Sequence, residues 1–347
     1  MKNISRESFS IYSFTHSFSF FLNRGACFSF LLFPAMFFCC THADTLPVAD
    51  NGTSLKVSSL LKAESADSEN IQTLDIFAFN PDGTLDCYQQ IHEPGESFNI
   101  ASGSGPKQIL LIANSNKNTY EWPEVRNLNS FAGISTNLEQ ERRNLPLMSS
   151  RLSISAGDEA NPKMHPIRCE VAINTLLCDF SKESYAAEHL TDVRAYLTYA
   201  NASCSIIPQS PVQASRLINP GMLDENNLEH FLEKDIIVQE IAKHIGKQSI
   251  STDCRLFCYA NEPDEESIGS PLTKLVIEGK IAGDTYYYPI KINPQGGGMV
   301  PGGKYIFDII ITRAGATHPD GNLKEEDIEV KMKIEQWREK EWYEVEF

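Results

Sequence analysis

Stretches in which apolar and polar residues alternate are the feature that most constrains the fold of this chain. In residues 327–337 four apolar residues alternate with charged ones, so an extended backbone would place the two sets on opposite faces of a strand. The apolar set is Ile328, Val330, Met332 and Ile334. The same alternation occurs in 193–203 and in 167–174, where Arg168 and Glu170 fall on the polar face. Repeated half-buried strands of this kind indicate antiparallel sheets.

Turn residues separate these strands at short intervals. Asn80-Pro81-Asp82-Gly83 lies between two apolar runs of 73–91 and predicts a β-hairpin, because proline fixes φ and glycine accepts the positive φ of the turn. A second hairpin is predicted within 273–293, around Ala282-Gly283-Asp284. Residues 107–116 form a continuous apolar run, which is typical of a strand buried on both faces.

One segment departs from this pattern and predicts a helix. In residues 226–247, Ile237, Ile241 and Ile245 recur at helical spacing, so we expect a helical insertion there. A parallel α/β architecture would need a helix after most strands, and the sequence offers only this one. The sequence therefore predicts a mainly all-β protein of two antiparallel β-sandwich domains, with the helical insertion in the second.

The apolar segment of residues 23–40 predicts a removable leader. Arg24 is followed by the charge-free run 26–38 and by Cys39 and Cys40, the order of features found in a bacterial lipoprotein leader. The run is shorter than the roughly 20 apolar residues that a membrane-spanning helix needs. We therefore expect Cys40 to carry lipid, with an uncleaved anchor as the alternative. The predicted organisation is a leader at 1–40, a tether at 41–52, an N-terminal sandwich at 53–182 and a C-terminal sandwich at 183–347.

Charge and cysteine content exclude some functions. A formal net charge of −16 argues against binding to nucleic acid, which calls for a basic surface. Six cysteines lie beyond the leader, without the spacing of a zinc site. They are Cys87, Cys169, Cys178, Cys204, Cys254 and Cys258. Most are expected to be small buried apolar residues, and one long-range disulfide remains open.

Catalytic and cofactor motifs are absent from the sequence. The histidines are scattered, and the glycine-rich segment 295–303 lacks the lysine and the following helix of a phosphate-binding loop. We therefore predict no enzyme activity, no metal and no small-molecule cofactor. Two other hypotheses are a surface glycan-binding lipoprotein that uses Tyr287 or Trp342, and a surface hydrolase with a pair of carboxylates in a cleft.

Several motifs, in their order along the chain, resemble one family. They are Cys40, TLDIFAFNPDGTL (73–85), ILLIANS (109–115), PLMSS (146–150), IRCEVAI (167–173) and the tail from PGGKYIFDIIITRAG (301–315) to VKMKIEQW (330–337). Together they resemble the fimbrillin-like pilus subunits of Bacteroidia. The resemblance implies two transthyretin-like sandwiches, export as a lipoprotein to the outer membrane, and other fimbrial subunits as partners.

The resemblance also implies polymerisation by strand exchange. In that scheme a protease removes the first strand, here 55–61, and a strand from a neighbouring subunit fills the groove. Lys62 is the basic residue at the end of this strand, at a position where stalk subunits of the family usually carry arginine. The other possible role of the donor candidates is that of a plain edge strand. The candidates are Ile328, Val330, Met332 and Ile334, with Tyr343, Val345 and Phe347 beyond them. The resemblance leaves open whether the chain is an anchor, stalk or tip subunit.

Overall fold

Strands dominate the regular structure of the protein. The computed structural model describes residues 53–58, 71–95, 97–115, 119–120, 122–155, 162–221, 223–324, 327–336 and 344–346. Their strands are β1 Thr53–Ser58, β2 Thr73–Phe79, β3 Leu85–His92, β4 Ser97–Ser102, β5 Lys107–Ala113, β6 Ser135–Asn137, β7 Met148–Ile154, β8 His165–Pro166, β9 Cys169–Cys178, β10 Leu190–Thr198, β11 Ala200–Asn201, β12 Ser203–Ser205, β13 Leu217–Ile218, β14 Val238–Ile245, β15 Ile250–Cys258, β16 Lys274–Ile281, β17 Asp284–Lys291, β18 Gly303–Ile311, β19 Ile328–Gln336 and β20 Glu344–Glu346.

Helical structure in these residues is confined to short helices of three to six residues. The α-helix α1 spans Glu225–Leu228. The 3₁₀ helices are Trp122–Glu124, Leu128–Gly133, Leu138–Gln140 and Lys234–Ile236. The predicted mainly all-β fold class is therefore confirmed. Within the described residues no helix is both long and apolar enough to cross a membrane.

The first large sheet is antiparallel and has the strand order β3-β2-β5-β7-β8. Strands β2 and β5 at its centre are buried on both faces, which explains why their sequences are continuous apolar runs. Phe77 and Phe79 pack on one face of β2, and Leu74 and Ile76 pack on the other. This sheet consequently needs a cover on each side.

The predicted turn between β2 and β3 is confirmed. The Gly83 amide donates to the Asn80 carbonyl at 2.8 Å, and Gly83 has a φ of 84°. The backbone amide of Thr84 donates to the Asp82 carboxylate at 2.9 Å. Hydrogen bonds from the Thr84 hydroxyl and amide hold the pKa of Asp82 below its usual range. The second predicted hairpin also forms, since β16 and β17 pair across the turn at Ala282-Gly283.

Two sheets face each other in the second sandwich. One has the order β15-β9-β18-β19-β20, and the other has the order β14-β10-β16-β17. Their pairings are antiparallel except for β9 with β18, which run parallel. Strand β9 lies before the predicted boundary at 182/183, yet it pairs with β15 and β18, which lie after it.

The prediction of a helical insertion at 226–247 is wrong for most of that segment. Only α1 and the 3₁₀ turn are helical, and the remainder is β14, which pairs with β10. Residues four apart share a helix face, but they also share a strand face because four is a multiple of the strand period of two. The spacing of the isoleucines therefore could not distinguish the two structures. The β-branched side chains of this segment favour the strand.

The half of the molecule that contains the first sheet and the half formed by the second sandwich share one apolar core. A single cluster of buried side chains includes Phe77 and Ile112 from the first sheet and Leu197 and Phe307 from the second sandwich. A short ladder between β6 and β12 joins the halves through the backbone. A second, smaller cluster lies on the opposite face of the first sheet. The first sheet thus has one face fixed against the second sandwich and one face covered from elsewhere.

Candidate strand-exchange site

Strand β4 covers part of the outer face of the first sheet and is paired with β1 in a two-stranded ladder. The strands are antiparallel from Thr53 opposite Ser102 to Ser58 opposite Ser97. Among the described residues β1 pairs with no other strand. The backbone pairing of β1 in the described part of the chain therefore consists of one six-residue ladder with β4.

The surface beneath this layer is apolar. Ile100 of β4 is fully buried and belongs to the smaller core cluster, which otherwise consists of residues from the first sheet and the segments beside it. Its members are Ile71, Leu74, Ile76, Ala78, Ile100, Ile109, Leu111, Ala113, Met148, Ile154 and Met164. Exposing each large aliphatic side chain would forfeit about 1.5–3 kcal/mol. Exposing several would therefore equal a typical net stability of about 5–15 kcal/mol, so this face cannot remain open.

Strand β4 has a polar attachment to the sheet at its end. The Gly103 amide, directly after β4, donates to the Asp86 carboxylate at 2.7 Å. The Lys107 ammonium lies 3.1 Å from the same carboxylate and donates to the Asn80 side chain at 2.7 Å. Because Lys107 is almost fully buried, this ion pair is shielded from solvent. The contact fixes β4 on β3 and β5, and it does not involve β1.

The four donor candidates lie in the second sandwich. Val330, Met332 and Ile334 are buried, and Ile328 is half-buried. Strand β19 pairs with β18 over nine residues, from Gly303 opposite Gln336 to Ile311 opposite Ile328. Strand β20 is paired with β19 over only three residues, Lys331–Lys333. The structure thus holds β19 firmly and β20 by a short ladder.

The other residues predicted to act in maturation lie outside the described part of the chain. Cys40, the predicted lipid site, and Lys62, the predicted cleavage site, both fall there. So does Trp342, one of the two aromatic candidates for glycan binding. The other candidate, Tyr287, is half-buried and bonded through its backbone to Ala316.

A buried polar contact between the halves was not foreseen from the sequence. Arg168, expected on a solvent-facing side, is 4% exposed. Its guanidinium lies 3.8 Å from the centre of the Phe257 ring and donates to the carbonyls of Arg142 and Arg143 at 2.7 and 2.6 Å. It also lies 3.5 Å from the Glu141 carboxylate. Arg168 lies in the bend directly before β9, and an isolated arginine in an alternating segment carries no sequence signal that another part of the chain will cover it.

Glu141 completes this contact. Its carboxylate accepts a hydrogen bond from the Tyr259 hydroxyl at 3.0 Å, and that hydroxyl lies 3.1 Å from Thr136. Burial raises the pKa of Glu141, although Arg168 and Tyr259 act in the opposite direction. The side chains of Thr136, Glu141 and Tyr259 are all buried. Together with Arg168 they join β6 and the loop after it to the end of β15.

Three cavities near the first sheet bear on the hydrolase hypothesis. A cavity of about 620 Å³ between Phe131 and Val212 and one of about 420 Å³ beside Pro166 have no carboxylate in their walls. A third, of about 250 Å³, has Glu141 as its one carboxylate. None of the three offers the pair of acids that the hydrolase hypothesis requires. The described residues also contain no cluster of three or more histidine, cysteine or acidic side chains that could hold a metal ion.

The fold defines a class, that of all-β proteins with two sandwiches sharing one core. Solved structures with this fold include a fimbrilin from Porphyromonas gingivalis, with a TM-score of 0.57 and 13% identity over 82% of this chain and 97% of that one. A tip fimbrial protein from the same organism has a TM-score of 0.52 and 14% identity, over 82% and 100%. A candidate cell-adhesion protein from Bacteroides eggerthii has a TM-score of 0.61 and 13% identity, over 83% and 96%.

A family model matches part of the chain in sequence. Residues 47–163 match the family model of the major fimbrial subunit protein FimA. No curated protein sequence matches the chain significantly. The family match confirms the resemblance to fimbrial subunits that the sequence motifs indicated. It is a family of structural subunits of the cell-surface fimbrium, a non-enzymatic class of protein.

Proposed function

We propose that the chain is a structural subunit of a surface pilus that assembles by β-strand exchange. The observation that carries this proposal is the β1–β4 layer. Its strand β4 contributes Ile100 to the apolar cluster on the outer face of the first sheet, and among the described residues β1 pairs only with β4. The FimA match includes this layer and the strands β2, β3, β5 and β7 of the sheet beneath it. Loss of β1 would open a groove, while the contact of Gly103 and Lys107 with Asp86 keeps β4 in place.

A strand from a second subunit would restore what β1 provided. Its backbone would pair with the edge of β4, and alternate apolar side chains would cover the sheet. The segment after β19 suits this role better than β19 itself, because β20 is held over three residue pairs and β19 over nine. In sequence this segment alternates apolar Tyr343, Val345 and Phe347 with acidic residues. The donor role of Ile328, Val330, Met332 and Ile334 would require β19 to leave β18.

Assembly of shortened chains tests the exchange. A chain that starts at Ala63 lacks β1 and should form ladders of polymer in non-denaturing gels. A chain that starts at residue 41 should remain monomeric. Removing residues 337–347 from the chain starting at Ala63 should abolish the ladders if the terminal segment is the donor. Ladders that persist after this deletion would assign the donor role to β19, and monomers of the undeleted Ala63 chain would contradict exchange.

Export as a lipoprotein, with an anchor role at the outer membrane, is a separate part of the proposal. It is supported by the leader-like order of Arg24, the apolar run 26–38 and the following cysteines. Cells fed radioactive palmitate should label the wild-type chain and the Cys39→Ser variant equally, and Cys40→Ser should lose the label. Retained label in Cys40→Ser would contradict lipidation at this residue. N-terminal sequencing of the mature protein would then separate an anchor starting at Cys40 from a subunit trimmed after Lys62.

A further inference from the structure

Two buried cysteines lie directly opposite each other in the second sandwich. Cys258 at the end of β15 pairs in register with Cys169 at the start of β9. Both side chains are fully buried in the shared core. Opposite residues of an antiparallel pair have Cα atoms about 4.5–5.5 Å apart, within the roughly 4.4–6.8 Å that a disulfide spans.

The two sulfur atoms also converge on the same short segment of chain. The Cys169 thiol donates to the Val300 carbonyl with Sγ and O 3.0 Å apart. The Cys258 Sγ lies 3.8 Å from the Sδ of Met299, the preceding residue. Because consecutive residues contact the two thiols, both thiols point toward one place in the core.

We propose that Cys169 and Cys258 form a cross-strand disulfide when the protein folds in the presence of a disulfide oxidant. One thiolate attacks the oxidant and releases one of its two sulfurs as a thiol, giving a mixed disulfide. The second thiolate then displaces the other sulfur of the oxidant. Each protein thiol loses one proton, and the two electrons reduce the oxidant to two thiols.

The timing of this reaction follows from burial. In the folded protein, burial raises the pKa of the Cys169 thiol to about 12 and raises that of Cys258 well above its usual value. The thiolate is the reacting species, so the folded thiols resist oxidation. The bond therefore forms before β9 and β15 close over the core. A bridge between residues 169 and 258 then restricts the unfolded chain across a long loop.

The remaining cysteines supply competitors and controls. Cys204 is buried in β12. Burial, and to a lesser extent the nearby Cys169, raise the pKa of the Cys204 thiol, so Cys204 is the competing partner for Cys169. Cys254 is buried in β15 four residues before Cys258 and stands opposite Ile173. Substituting Cys254 should therefore leave the bond intact.

Peptide mapping of the full chain tests the proposal without relying on a variant. The chain is refolded with reduced and oxidised glutathione, its free thiols are alkylated, and its peptides are analysed by mass spectrometry without reduction. We expect one linked pair of peptides that contains Cys169 and Cys258. Linkage of Cys169 to Cys204 instead, or alkylation of both Cys169 and Cys258, would overturn the proposal.

Thermal melting supplies a second measurement. Protein refolded with the oxidant should have a higher Tm than protein refolded with a reductant, and Cys254→Ser should retain this difference. Cys258→Ser should lose it. Oxidant added only after reducing refolding should leave Cys169 and Cys258 open to alkylation on denaturation. An equal Tm for both wild-type preparations, or rapid oxidation of the folded protein, would contradict the inference.

Discussion

At the scale of single residues, Arg168 shows how a charged side chain can be buried and still be satisfied. Its guanidinium has two carbonyl acceptors, the Glu141 carboxylate and the face of Phe257. Removing one partner of a buried ion pair leaves the other charge without compensation, at about 3–5 kcal/mol. The pair is therefore a sensitive point of the contact between the halves.

We expect Arg168→Ala to lower the free energy of unfolding by about 3–5 kcal/mol, because Glu141 stays buried without its cation. Urea unfolding followed by circular dichroism measures this change. Arg194→Ala is the matched control, since the Arg194–Glu278 pair is partly exposed and should contribute only about 0–1 kcal/mol. Equal losses of unfolding free energy in the two variants would show that the burial of Arg168 adds nothing to the stability that its ion pair provides.

Asp320 gives a prediction about pH. Burial alone would raise its pKa, but hydrogen bonds from Lys274 and Tyr199 outweigh burial and lower the pKa from 3.8. A lowered folded pKa means that the stabilisation is present above the unfolded pKa and is lost as pH falls through the folded one. Asp320→Asn should therefore destabilise the protein by up to about 1 kcal/mol near neutral pH.

The pH dependence of this variant distinguishes charge from packing. The difference in stability between wild type and Asp320→Asn should begin to shrink as the pH falls below 3.8, the ordinary pKa of the aspartate, and should be lost as the pH falls through the lowered pKa of folded Asp320. Asp192→Asn is the control, because Asp192 pairs with Lys280 in a largely exposed position. A difference for Asp320→Asn that stays constant from neutral to acid pH would assign the effect to packing.

At the scale of elements, the sequence predicted what depends on local order and missed what depends on distant neighbours. The hairpin turns at Asn80-Pro81-Asp82-Gly83 and Ala282-Gly283 were predictable because Gly83 and Gly283 accept the positive φ that each turn requires. Strand β14 was mistaken for a helix, because only pairing with β10 decides between two structures that share its spacing. Arg168 lies in the bend before β9, and its burial depends on a loop more than 20 residues away, so the local alternation of polar and apolar residues could not reveal it.

The packing of β16 against β10 yields a prediction at this scale. Gly279 is buried, and a Cβ at this position would lie 2.6 Å from Cγ of Leu190, which is itself fully buried. Gly279→Ala should therefore destabilise the protein by about 1–3 kcal/mol through overpacking. Gly269→Ala, where a Cβ meets no atom within 4 Å, should change stability by less than about 0.5 kcal/mol. Chemical denaturation of both variants measures the difference, and a neutral Gly279→Ala would contradict this packing.

At the scale of the whole molecule, the two halves are joined by three kinds of contact. The larger apolar cluster continues from the first sheet into the second sandwich, β6 pairs with β12, and Arg168 bridges the halves through polar contacts. Such a shared core favours cooperative unfolding, because opening one half would expose apolar surface of the other. In the proposed pilus subunit, this coupling would prevent one half from opening alone.

The coupling predicts one unfolding transition for both halves. Trp122 is buried in the first half, and replacing Trp337 and Trp342 with phenylalanine makes its fluorescence a reporter of that half alone. Circular dichroism reports the strands of both halves. In urea, the two signals should give the same midpoint, because the larger cluster cannot be divided without exposing both sides. If Trp122 fluorescence changes at a distinctly lower urea concentration than the dichroism, the first half unfolds independently and the shared core does not couple the sandwiches.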